Sequence, residues 1–254
     1  MDFSSGFADK VFSMLTFVSQ LSISRAIIRK IEKRKEEINP DELKYVALTF
    51  DDGPGEYTNR LLDILKENDS QATFFLLGDN LRAYKDVVVR YKKEGHGVGN
   101  HLCSHTPFPR MHNAAINDEL ATADRAFEKI SGETMDFIRA PHGQYTEESK
   151  TAGLLLERPL IGWNVDSFDF IFKMKETIEH RLLNKINNDS IVLMHDVLES
   201  TVDAIESCLP KLKEQGFRFV DLHTLFSLRD KALLKNHLYM GVYDFEVVNQ
   251  EAQQ

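Results

Sequence analysis

Apolar and polar positions follow two different periods along the chain, and the two take turns. Compact apolar runs at residues 46–50, 72–77, 137–138, 160–165, 191–194 and 217–220, several of them rich in β-branched residues or Phe, have the length and content of buried strands. Between them, residues 59–67, 83–94, 117–130, 177–187 and 201–215 repeat their apolar positions every three to four residues, as amphipathic helices do. Strand and helix in alternation predict parallel strands joined by helical crossovers, an α/β fold. In barrels of this kind the chemistry sits at or just past the carboxyl ends of the strands.

The flanks break the pattern. Residues 1–40 hold an apolar stretch at 11–28, interrupted by Ser13, Gln20 and Arg25 and followed by a basic run from Arg29 to Lys35. A membrane span needs about 20 mainly apolar residues, and a secretory signal has its basic residues before the apolar run. The stretch meets neither condition and reads as an amphipathic helix, an N-terminal helical extension; peripheral membrane contact through residues 1–35 is the less favoured alternative. The chain reads as cytoplasmic or peripheral, or as secreted if a leader precedes it. Residues 41–230 carry the alternating pattern, and 231–254 form a C-terminal tail expected to be loosely ordered from His237 onward.

Composition supports one enzyme-sized domain: 254 residues with 42% hydrophobic and 28% charged content can bury a single large core. A formal net charge of −9 argues against nucleic acid or an anionic membrane as main partner. Cys103 and Cys208 are too few for a disulfide framework.

Two constellations carry chemistry. The run 46–50 stops abruptly at Asp51-Asp52-Gly53-Pro54, which places two carboxylates at a strand end where Gly and Pro turn the chain. Further on, His101 and His105 stand four apart in Asn100-His101-Leu102-Cys103-Ser104-His105, a spacing that puts both imidazoles on one face of a helix or helical turn. One Asp and two His make three ligands, which leaves positions on a cation open for water and substrate, and the second Asp is then free to take a proton. An acidic pair before Gly-Pro is by itself an ordinary turn, and the His pair alone is a weak signal; it is the combination that specifies. Cys103, two positions from His101, points away from the shared face.

These residues resemble the first two motifs of the polysaccharide deacetylases, the NodB-homology or carbohydrate esterase 4 family. Arg139-Ala140-Pro141-His142-Gly143 is similar to the third motif, Trp163 through Phe170 to the fourth, and Ile191-Val192-Leu193-Met194-His195-Asp196 to the fifth. The resemblance implies an irregular (β/α) barrel of seven parallel strands and a hydrolase that removes N-acetyl groups from amino sugars of a glycan of the chitin or peptidoglycan type. It implies one divalent metal on Asp52, His101 and His105; the ligand types fit zinc, and cobalt, nickel or iron can take the same set. Asp51 corresponds to the general base and Arg139 to the residue that orients it. His195 corresponds to the general acid with Asp169 as its carboxylate partner, Asp166 being a nearby competitor. Pro141 precedes the amide, here of His142, that meets the oxyanion. Two positions depart from the family: His142 stands where Tyr is common and Phe170 where Trp is common, both expected at the substrate together with Leu193, a wall sized for a methyl group. His96, His112, His180, His223 and His237 lack a motif and read as structural or solvated. Alternative readings are a lipid- or nucleotide-linked amino sugar as substrate, a polyamine or other small amide, and a catalytically silent carbohydrate binder.

Overall fold

The structure, a computed structural model, describes residues 43–247. The expected N-terminal helical extension lies outside the described residues. The strands are β1 (Lys44–Gly53), β2 (Thr73–Leu76), β3 (Gly97–Asn100), β4 (Phe137–Ile138), β5 (Leu160–Ile161), β6 (Val165–Asp166), β7 (Ser190–His195), β8 (Phe217–Phe219), β9 (His237–Tyr239) and β10 (Phe245–Val247). They form one sheet in the order β10-β9-β5-β4-β3-β2-β1-β7-β6, with β8 also on β1. Every pairing is parallel except that of β9 with β10. The five amphipathic stretches are helices at Thr58–Glu67, Lys85–Lys93, Asn113–Ser131, Lys175–Lys185 and Glu199–Glu214, so the parallel α/β architecture is as the pattern predicts and the barrel as the resemblance implies. Among the described residues no helix is long and apolar enough to cross a membrane.

The strand count exceeds seven: β9-β5-β4-β3-β2-β1-β7-β6 makes eight in parallel succession among the described residues. Three local features add strands to the six apolar runs. The run 160–165 is two strands on opposite arms of the sheet, β5 beside β4 and β9, β6 beside β7. The link of Gly162, Trp163 and Asn164 reaches only about 14 Å, so the sheet must curl until its arms nearly meet. β3, of sequence GVGN, is invisible to an apolar pattern because its glycines answer close approach: a Cβ would lie 2.6 Å from Thr73 Oγ1 at Gly97 and 2.4 Å from the Phe75 ring at Gly99. Finally, the segment expected as a loose tail adds β9 to β5, where Tyr239 is buried and its hydroxyl accepts the Leu234 N–H at 2.8 Å.

β1 shows how the core and the site share one strand. Val46, Leu48 and Phe50 pack outward against Leu61, Leu65, Val202 and Ile205 of the helical layer, while Ala47 faces inward with Phe75, Phe137, Ile161 and Ile191. Thr49 and Asp51 continue the inward set by the period of two. Asp52 ought then to point outward. It does not, because the register with β2 shifts between Asp51 and Gly53 and Asp52 takes a left-handed φ of 70°. The irregularity re-aims one side chain, a recurrent use of bulges beside active sites.

Candidate active site

Asp51 and Asp52 end up in one cleft with different partners. Asp51 Oδ1 accepts from Arg139 Nη1 at 2.7 Å. Arg139 is fully buried, and its other donors reach Thr49 Oγ1 at 2.8 Å, Ile161 O at 3.0 Å and Gly162 O at 2.8 Å, with the guanidinium 4.0 Å from the Phe75 ring centroid. This is a pair buried inside the barrel, not a surface salt bridge, and it fixes the Asp51 carboxylate in one orientation. Asp52 has no such donor: its Oδ1 is buried without a hydrogen-bond partner among the described residues.

The two histidines converge on that oxygen. His101 Nε2 lies 3.5 Å and His105 Nε2 3.3 Å from Asp52 Oδ1, and one ligand atom from each of the three residues falls within 4.8 Å of the others. His101 Nδ1 sits 2.8 Å from the Arg139 carbonyl, which can only accept, so Nδ1 carries the proton and Nε2 a lone pair. Burial lowers the His101 pKa although Asp51 and Asp52 oppose it. A buried oxygen with no donor, facing imidazole lone pairs, is a donor set that a divalent cation would fit.

The His pair is not on a helical turn as its spacing suggests. It sits in a loop after β3, where Leu102 and His105 take left-handed φ of 69° and 59° and bring the two rings to 5.1 Å. Asn100 Oδ1 accepts the Leu102 N–H at 2.8 Å. Glu119, on the helix Asn113–Ser131, accepts the Cys103 and Ser104 N–H groups on Oε2, each at 2.8 Å, and the Ser104 hydroxyl on Oε1 at 3.0 Å. Cys103 turns away to Asp79 Oδ1 at 3.1 Å, and burial pushes its thiol up to about 12.

Across the cleft, His195 ends β7 directly opposite Asp51 of β1. Its Nδ1 lies 2.8 Å from Asp169 Oδ1, and the buried Asp169 also accepts the His195 and Phe170 N–H groups and the Thr201 hydroxyl at 2.7–2.8 Å. Burial works to lower the His195 pKa, but the Asp169 hydrogen bond and charge, with Asp51 and Asp52 behind them, carry it up to about 9. Asp166, the competitor, caps the Phe168 N–H at 2.7 Å, and Asp169 is the residue that holds His195.

A pocket of about 240 Å³ joins these groups and is walled by His142, Trp163, Phe170 and Leu193 among others. His142, at a left-handed φ of 58°, packs its ring 4.7 Å from that of His105. Pro141, expected at the substrate, is instead buried and does not line the pocket; it starts the turn that presents His142. A larger cavity of about 680 Å³, lined by Asp136, Arg158 and His223 among others, contains none of these groups, so chemistry and not volume locates the site.

Three contributors escape sequence reasoning. Trp163, a motif residue to which its position assigns no role, lines the pocket. Glu119 holds the His loop. Asp196 is fully buried, accepts the Thr58 hydroxyl at 2.6 Å, and stands where a Cβ on Gly53 would fall 2.5 Å from its Oδ1; burial pushes its carboxyl up to about 7. The available signal was Asp196 directly after His195, at the end of an apolar strand.

Fold and site together define a barrel with a carboxylate-paired imidazole, an arginine-held carboxylate and an Asp-His-His corner in one pocket, the arrangement of a hydrolase. The family model described as polysaccharide deacetylase matches residues 38–157. A peptidoglycan-N-acetylglucosamine deacetylase of Bacillus cereus is 34% identical over 186 residues, covering 71% of this chain and 68% of that protein. The peptidoglycan-N-acetylmuramic acid deacetylase PdaC of Bacillus subtilis is 33% identical over 193 residues, 76% of this chain but 40% of that protein, so the chain spans less than half its length. Among solved structures, a family 4 acetyl xylan esterase from Clostridium thermocellum in complex with a cobalt ion superposes with a TM-score of 0.73 at 28% identity, over 79% of this chain and 100% of that one. The chain belongs to the polysaccharide deacetylase family.

Proposed function

We propose that the protein removes N-acetyl groups from amino sugars of a glycan, of the type found in peptidoglycan, with a divalent cation on Asp52, His101 and His105. When bound there, the cation supplies polarisation of the acetamide carbonyl and a lowered pKa for water, towards about 7. Asp51 removes the water proton with Oδ2, since Oδ1 is engaged by Arg139. The His142 amide donates to the developing oxyanion. His195 gives its Nε2 proton to the departing amine while Asp169 holds Nδ1, and Leu193 with Trp163 encloses the methyl group. The observation that carries the reading is the opposition of Asp51 and His195 across one sheet register, with the ligand corner beside them. A silent homologue would lack a ligand, base or acid, and each of these positions holds a competent residue.

The experiment separates the two adjacent carboxylates. Asp51→Asn is expected to keep the metal, read by elemental analysis, and to lose acetate release by about 10²- to 10⁴-fold; Asp52→Asn is expected to lose the metal. Zinc, cobalt, nickel and iron are told apart in the same measurement. Equal metal loss in both variants refutes the division of roles.

A further inference from the structure

The pocket rim carries a run of side chains that the reaction does not use. Between Phe168 and Met174 five large apolar residues are exposed: Phe168 by 37%, Phe170 by 54%, Ile171 by 71%, Phe172 by 46% and Met174 by 57%. Single exposed apolar residues need no account, but a contiguous patch marks a binding surface. The exposure is built in. Asp166 caps Phe168, Asp169 caps Phe170, and the Lys173 N–H closes the turn on the Asp169 carbonyl at 2.9 Å. Phe168 and Lys173 bound the turn at left-handed φ of 54° and 49°, a conformation unfavourable for residues with a Cβ. Asp169, the one buried residue of the run, anchors it to His195 and Thr201.

What covers this patch is indicated by its continuity with the pocket. Phe168, Phe170 and Ile171 line the catalytic pocket itself, and Phe172 and Met174 continue the same turn. The occupant therefore leaves the reacting centre as part of the same molecule. Sugar rings stack on open aromatic faces, and here the rings of Phe168 and Phe170 already have partners. The Arg181 guanidinium lies 4.2 Å from the Phe168 centroid, and Phe170 has Lys173 Nζ at 5.0 Å and the His195 ring at 5.3 Å. Ile171 and Met174 offer no flat face at all. Ring edges with aliphatic and thioether side chains suit a flexible alkyl chain. We infer that the substrate is an amphiphile, an N-acetylated amino sugar whose apolar chain leaves the pocket across Ile171, Phe172 and Met174. This rests on the reading of the site as an amino-sugar N-deacetylase and departs from it in the substrate, an alkyl-bearing amino sugar in place of a bare glycan.

The test compares methyl and decyl N-acetylglucosaminides below the micellar concentration, in the wild type and in Phe172→Ser/Met174→Ser. In the wild type kcat/KM is expected to be higher for the decyl substrate by about tenfold or more, mainly through KM; in the double variant the decyl-to-methyl ratio should fall to within about twofold. Equal turnover of both substrates by the wild type, or an unchanged ratio in the variant, overturns the inference while leaving the deacetylase reading intact. Titration calorimetry with decyl and methyl glucoside, which have no acetamide, makes the inference independent of turnover. Tighter decyl binding that the variant loses supports it even if no acetamide is hydrolysed, and equal binding overturns it. Binding to phospholipid vesicles without a preference for free decyl glucoside, or self-association lost in the variant, assigns the patch to a lipid surface or a second copy and also overturns it.

Discussion

Replacing Asp169 by Asn keeps the outline of the side chain and removes the charge that holds His195 protonated. The His195 pKa is raised from 6.5 to about 9, which corresponds to about 3 kcal/mol of preference for the charged ring at about 1.4 kcal/mol per pH unit. Burial opposes this, so the favourable contacts together exceed that figure, and Asp169 supplies the leading ones by hydrogen bond and by charge. A cation on Asp52 offsets the help from Asp51 and Asp52 and leaves Asp169 as the main support. In Asp169→Asn the alkaline limb of kcat/KM for an amide substrate should therefore move to lower pH. Activated esters, whose leaving groups need little protonation, should lose far less. Linkage gives a second readout. A raised folded-state pKa contributes stability that is fully present below 6.5 and is lost as pH rises through about 9. The wild type should lose stability over that window and the variant should not. The variant carries a structural cost as well, because Asp169 accepts four donors and no orientation of an amide can accept them all. Metal content is the control. Coincident alkaline limbs in wild type and variant refute the reasoning and move the acid to another group, His142 first.

Other outcomes follow from the same contacts. Glu119→Ala releases the loop between the two histidines and should weaken zinc binding by about tenfold in titration calorimetry, in the range for residues that orient metal ligands; Glu119→Gln should retain part of it. Arg139→Met strands the buried Asp51 charge, and denaturant unfolding should show a loss of about 3–5 kcal/mol. Gly99→Ala drives a Cβ to 2.4 Å from the Phe75 ring on which Arg139 rests, so about 1–3 kcal/mol of stability should go, with lowered turnover.

What could be read from residue order, and what could not, divides along physical lines. The helices were legible because a 3.6-residue period over nine or more positions is strong, and β1 and β7 because long apolar runs end at charged residues. β3 was not, because Gly97 and Gly99 answer backbone approach by Thr73 and Phe75, a tertiary constraint without an apolar signature. The break between β5 and β6 hides for a related reason: residues 160–165 are apolar enough for one strand, and only the curl of the sheet divides them. The candidate site was legible where its residues cluster in sequence, as Asp51 with Asp52 and His101 with His105 do. The partnership of His195 with Asp169, 26 residues away, came through family resemblance. Glu119 and Asp196 act by contacts that no spacing announces.

Asp51 and Asp52 are consecutive residues with the same side chain, so their chemical difference is one of position alone. Thr49 bonds to Val192 on β7 and to Arg139 on its other side, and Asp51 stands level with His195; one step beyond, the strand breaks its pleat. Strand alignment thus works here as an address. Adding or deleting one residue between Lys44 and Phe50 leaves every side chain of the pocket in the gene product. It nevertheless delivers a carboxylate to the arginine or to the histidines only if the strand slides to compensate, and sliding turns Val46, Leu48 and Phe50 from the helical layer into the barrel. Length changes in this segment should therefore be far less tolerated than substitutions of its apolar residues by one another, which leave the alignment untouched.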